Sequence, residues 1–157
     1  LDIGFTVDSD NRLLPKELTN EVVAKDEMVA IAPSSHPTIF KNSPIDIFAL
    51  ADEPLIMSEL SVGYGEFIMT LFEQHQIRPK IMTISDNVET TEALIRAGKG
   101  IALVPRKSAE ISLALDSVGI VELKPNVVVE FSMVRLNQAL SVYGQQRVDD
   151  ILASFSS

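Results

Sequence analysis

Between residues 85 and 106 the order of polar and apolar positions changes from a helical period to an unbroken apolar run, with a glycine turn between them. Val88, Thr91, Leu94 and Ile95 share one helical face, and Asp86 with Glu89 three residues later forms a capping-box pattern at its start. The spacing predicts a helix whose free N–H groups are satisfied by Asp86. Gly98 stands where a left-handed residue would end that helix, and the run 101–104 reads as a short buried strand closed by Pro105. A helix that turns at once into a wholly apolar strand belongs to a parallel sheet with helices packed on it.

The same alternation continues on both sides. Strands are expected at 1–5, 22–24, 28–32, 55–57 and 81–84, and later at 120–123 and 128–136. A loop rich in Asp, Asn and Pro spans residues 8–15. Ser43-Pro44 reads as an N-cap with proline in the first helical position, opening a short helix that stops before Pro54. A helix over 65–76 shows Ile68, Leu71 and Phe72 on one face, and another is expected over 107–115. A last helix starts near Ser141 and carries Val148, Ile151, Leu152 and Phe155 at helical spacing. The fold class is α/β, with no repeats and no low-complexity tracts.

Four stretches, in this order along the chain, carry a resemblance: "LDIGF" from Leu1, "EMVAIAPSSHP" from Glu27, "ADEPLIM" from Ala51 and "SDNVETTEALIRAGKGIALVPR" from Ser85. Together they resemble the effector-binding half of LysR-type transcriptional regulators. The resemblance implies a two-lobed domain like the type-2 periplasmic binding proteins, with residues 34–126 as lobe II and residues 1–33 and 127–157 as lobe I. Members carry a strand, a helix, a second strand and a second helix ahead of the strand matching residues 1–5, roughly 40–50 residues at ordinary element lengths. Lobe I is therefore expected to be incomplete, and the winged helix-turn-helix of the family is not in this sequence.

Composition narrows the function further. Of 157 residues, 46% are hydrophobic, ample for a core. The 22 acidic residues outnumber the 13 basic ones, for a net charge of −9, and the basic residues never form a run. Phosphate backbones demand clustered Lys and Arg, so the chain by itself is not expected to bind DNA. Cysteine is absent, which removes disulfides, thiolate nucleophiles and Cys-based zinc sites and is compatible with a cytoplasmic protein. No stretch approaches the ~20 apolar residues of a membrane helix.

The chemistry to expect is binding in the cleft between lobes, because ligands of open α/β sheets sit beyond the carboxyl ends of the strands, where helices begin. After the strand 55–57 come Ser58, Ser61, Gly63 and Tyr64: two hydroxyls, a glycine that lets backbone approach a ligand, and a phenol. Ser61 as a plain N-cap and Tyr64 as a packing residue fit the same pattern. Glu59 in this loop would repel an anionic ligand. Ser85 and Asn87 open the next helix towards the same cleft, while Asp86 is read as a structural cap. Pro105 ends the strand 101–104, where the resemblance implies a pocket wall. Arg106 can pair with an acidic effector or with a neighbouring carboxylate. Thr6 ends the first strand and is placed on the opposite wall.

Catalytic constellations do not assemble. His36 and His75 are the only histidines and lack metal-ligand spacing, and no Gly-x-Ser-x-Gly elbow or phosphate-loop frame is present. No catalytic residue, metal or cofactor is expected. The resemblance implies a sensor that binds a small metabolite, forms a homo-oligomer in the full-length protein and reaches DNA through the missing domain. A transport-type solute-binding protein of the same fold is the alternative.

Overall fold

A computed structural model describes residues 3–8, 15, 17–36, 40–59, 63–112, 118–136 and 142–155. They form two compact units, unit 1 from residues 1–25 and 130–157 and unit 2 from residues 26–129. The chain passes between units twice, inside strands β2 (Leu18–Pro33) and β9 (Val128–Leu136).

In unit 1, β1 (Ile3–Asp8) pairs antiparallel with β9, in a register that sets Thr6 opposite Ser132. Helix α4 (Val142–Phe155) contributes the buried Val148, and the rings of Phe5 and Phe155 lie 6.1 Å apart.

Unit 2 is built on five strands. β4 (Leu55–Met57) runs parallel to both β5 (Ile81–Ile84) and β6 (Ile101–Pro105). The carboxyl half of β2 pairs antiparallel with β6 and with β7 (Val118–Val121). A two-residue parallel pair, β3 (Ile45–Asp46) with β8 (Leu123–Lys124), lies off this sheet. The crossovers between parallel strands are helices, as the sequence pattern demanded: α1 (Gly63–Gln74) between β4 and β5, and α2 (Val88–Arg96) between β5 and β6. Helix α3 (Arg106–Ser112) follows β6 directly.

The strand period of two divides the core. Ile56 joins Val29, Ile31 and Ala102 of neighbouring strands, Ile95 of α2 and Ala109 of α3 in one buried cluster. Leu55 and Met57, equally buried, fall to the other face by alternation. Phe72 of α1, fully buried, meets Phe48 edge-on, with ring centroids 6.2 Å apart. Burial of these large side chains, each worth ~1.5–3 kcal/mol, is what fixes the helices to the sheet.

Glycine is required at two positions. Gly98, at φ +67°, ends α2, and the N–H groups of Gly98 and Lys99 return to the carbonyls of Ile95 and Leu94, as the sequence implied. Gly65 sits under the backbone of the β4–α1 loop, so closely that a Cβ there would fall 2.1 Å from the Glu59 carbonyl oxygen.

Three expectations change. The segments 22–24 and 28–32 are one continuous strand, because the polar interruption Lys25-Asp26-Glu27 is not a turn. Lys25 pairs with Glu130, Asp26 accepts from the Lys107 N–H, and Glu27 accepts from Asn126. Ser43-Pro44 does not open a helix. The turn at 47–52 is 3₁₀ and is capped by Asp46, whose carboxylate accepts from the Phe48 N–H at 2.9 Å, while Ser43 Oγ accepts from the Glu122 N–H. Asp86 does not cap α2; Asn87 does, accepting from the Thr90 N–H at 2.8 Å. The expected N-cap at Ser141 lies outside the described residues.

Because backbone rather than a movable side chain faces Gly65, Gly65→Ala is expected to lower unfolding free energy in urea by at least ~3 kcal/mol. Gly4→Ala, with nothing within 4 Å of the new Cβ, is expected to stay within ~0.5 kcal/mol of the parent.

Candidate functional site

Parallel pairing puts the carboxyl ends of β4, β5 and β6 at one end of the unit 2 sheet, and each strand is followed there by a helix start. A cavity of about 320 Å³ opens at this end. Its apolar wall comes from Ile31, Ile56, Met57, Val88 and the strand 102–105; its polar groups are Ser58, Tyr64, Ser85, Asp86, Asn87, Thr91, Glu92 and Ser108. A largely apolar pocket with a few polar groups converging on it is the usual build of a small-molecule site.

Local hydrogen bonds fix most of these groups. The Ser85 N–H donates to the Met57 carbonyl, continuing the β4–β5 pairing by one residue. Ser85 Oγ then closes a small turn, donating to the Asn87 carbonyl at 3.2 Å and accepting from the Asn87 N–H at 3.3 Å. Asp86 points back to the preceding loop, where its Oδ1 accepts from the Glu59 N–H at 2.9 Å. This bond joins the loop after β4 to the loop after β5. Tyr64, in the first turn of α1, has its pKa raised above 10.0 by burial and secondarily by the charge of Asp26. The phenol therefore stays protonated throughout the neutral range and keeps a proton to donate.

Arg106 follows Pro105 but is already engaged. Its guanidinium donates to both carboxylate oxygens of Glu122, one of them at 2.9 Å, and to Glu27 at 3.2 Å. The hydrogen bond from Arg106 is the main reason the Glu122 carboxyl is held below its ordinary 4.5, and the same pairing raises the Arg106 pKa. Glu27 also accepts from Asn126 at 2.9 Å, and the neighbouring Asp26 accepts from the Lys107 N–H at 3.0 Å. The first turn of α3 is thus tied to the part of β2 where the chain enters unit 2.

Five anticipated residues, Ser58, Tyr64, Ser85, Asn87 and Pro105, line this one cavity. Gly63 lies beside Tyr64 at φ +58°, a conformation that favours glycine, but is not itself on the wall. Thr6 is half-buried on β1 of unit 1 and does not line the unit 2 cavity. Ser61 lies outside the described residues. The sequence reading missed Thr91, Ser108 and Ile31. Each had a signal: Thr91 is one helical turn beyond Asn87, Ser108 is three residues beyond Pro105, and Ile31 pairs with Ala102 across the antiparallel register.

The family model for the LysR substrate binding domain matches residues 1–148. The chain belongs to that family. Among curated relatives, the transcriptional regulator TtuA of Agrobacterium vitis is 30% identical over 115 residues, covering 72% of this chain and 37% of TtuA. The chain thus spans little more than a third of that relative's length. Among solved structures, the CcmR regulatory domain of Synechocystis PCC6803 in complex with 2-PG superposes with TM-score 0.75 at 24% identity, over 96% of this chain and 73% of that one. The BenM effector-binding domain with its effector benzoate gives 0.74 at 22%, over 98% and 70%. At these identities the structures establish the fold of a LysR substrate-binding domain. The matched relatives are described as regulators of transcription. No helix among the described residues is long and apolar enough to cross a membrane.

Two substitutions check the local wiring. Asn87→Ala is expected to lower stability by ~1 kcal/mol through the lost cap. Glu122→Gln tests the Arg106 pairing through pH. The folded-state pKa of Glu122 is depressed, so its stabilisation is complete above the unfolded value and lost as pH falls through the folded one. Both partners are partly exposed, so parent and variant should differ by ~0.5–1 kcal/mol at pH 7. The gap should close below 4.5, read by urea unfolding across that range.

Proposed function

We propose that this chain is the effector-binding module of a LysR-type transcriptional regulator and that the unit 2 cavity receives the effector. The observation that carries this reading is the convergence of Ser58, Tyr64, Ser85, Asn87 and Pro105 on one cavity, in a chain of the LysR substrate-binding family. BenM binds benzoate and CcmR was solved with 2-PG, both small organic molecules of a size suited to such a cavity. In this reading lobe II, expected over 34–126, lies within unit 2, and lobe I is built on unit 1. A ligand with different affinity for two arrangements of the domain would shift their populations, and that shift would alter how a cytoplasmic homodimer presents winged helix-turn-helix domains carried elsewhere in the protein. The curated relatives are regulators, which favours this reading over a transport-type solute-binding protein.

A thermal-shift screen of small metabolites tests it, with Thr91→Phe as a variant that fills the cavity from α2. A ligand at a hundred times its Kd should add ~2.7 kcal/mol to the parent, and the variant, melting normally by itself, should show no such gain. If no metabolite shifts the parent, or if parent and variant respond equally, the assignment of the cavity fails.

A further inference from the structure

The charge of the cavity wall points to a ligand class, and this inference rests on the reading of the cavity as the effector site. Among the described residues, Asp86 and Glu92 are the charged side chains on the wall and no basic residue lines it. The nearest arginine in sequence, Arg106, is held by Glu122 and Glu27, so its charge is already compensated. Lys107 is exposed and does not line the cavity.

The start of α2 offers little to an anion. A helix terminus carries the equivalent of about half a positive charge. Here it is flanked by Asp86, by Glu89 in the first turn and by Glu92, and one of its N–H groups, that of Thr90, is taken by Asn87. Full negative charges outweigh the partial positive one. Asp86 spends Oδ1 on the Glu59 N–H, and its Oδ2 has no hydrogen-bond partner among the described residues. The floor is apolar: Ile31, Ile56, Val88, Ala102 and Leu103.

We propose that the unit 2 cavity selects a small apolar molecule bearing a protonated amine over one bearing a carboxylate, with Asp86 and Glu92 facing the ammonium group. BenM, whose effector is a carboxylate, shares the fold at 22% identity, and its ligand chemistry does not transfer at that distance.

Isothermal titration of the protein with benzylamine, benzyl alcohol and phenylacetate tests this on closely similar ring sizes. Benzylamine should bind about tenfold more tightly than phenylacetate, with benzyl alcohol between them, and its advantage should shrink as salt is raised. Glu92→Gln and the double variant Asp86→Asn/Glu92→Gln should remove the preference for benzylamine over phenylacetate stepwise. Asn at position 86 keeps an oxygen for the Glu59 N–H but not its charge, so the preference is read as the ratio of the two affinities within each variant, with its melting temperature measured beside the parent's. Equal or tighter binding of phenylacetate overturns the inference, as does an amine preference that survives the double variant. Absence of binding by all three probes also overturns it. The effector reading itself then stands or falls on the metabolite screen with Thr91→Phe, so the two failures are distinguishable.

Discussion

The hydrogen bond from the Glu59 N–H to Asp86 Oδ1 is the constraint on which the candidate site depends. Parallel pairing delivers the ends of β4 and β5 side by side, but it does not determine where the two following loops go. Asp86 ties them together at 2.9 Å, and Gly65 allows the first turn of α1 to pack directly under the same loop. The loop after β4 is therefore held from both sides, and Ser58 and Tyr64 face the same cavity as Ser85 and Asn87. A charged acceptor on a backbone donor is stronger than a neutral pair, which suits a link that spans two connections.

A second set of carboxylates organises the opposite end of the wall. Asp26 and Glu27 lie where β2 enters unit 2, and they hold the Lys107 N–H and the Arg106 guanidinium at the start of α3. Pro105 and Ser108, on either side of those two residues, line the cavity. The physical consequence is electrostatic as well as mechanical. Arg106 is consumed in holding α3, so it does not offset Asp86 and Glu92.

Much of this was legible from residue order. The segment 85–106 spelled out α2, the Gly98 turn and β6 because its period, its glycine and its proline each have one structural meaning. Strand ends followed by helix starts, taken with the family resemblance, then pointed to Ser58, Tyr64, Ser85, Asn87 and Pro105. The errors came where a polar side chain has more than one use. Asp86 and Asn87 are both good caps, and only the proximity of Glu59, 27 residues away in sequence, decides which of them turns to the helix. Lys25-Asp26-Glu27 looked like an interruption because the partners that keep it in a strand are Glu130, Lys107, Arg106 and Asn126, all distant along the chain. Ser43-Pro44 imitates a helix start, yet Ser43 is engaged by Glu122 and the cap falls to Asp46. Long-range partners of this kind leave no local trace.

The central claim is that the cavity at the carboxyl ends of β4, β5 and β6 is where a small molecule binds. Methyl-selective NMR of the protein, titrated with a metabolite that raises its melting temperature, tests this most directly. The expected result is a set of saturable shifts at Ile31, Ile56, Met57, Val88, Leu103 and Val104, all on the cavity wall. Shifts confined to Ile47 and Leu50, which are buried but do not line the cavity, would contradict it.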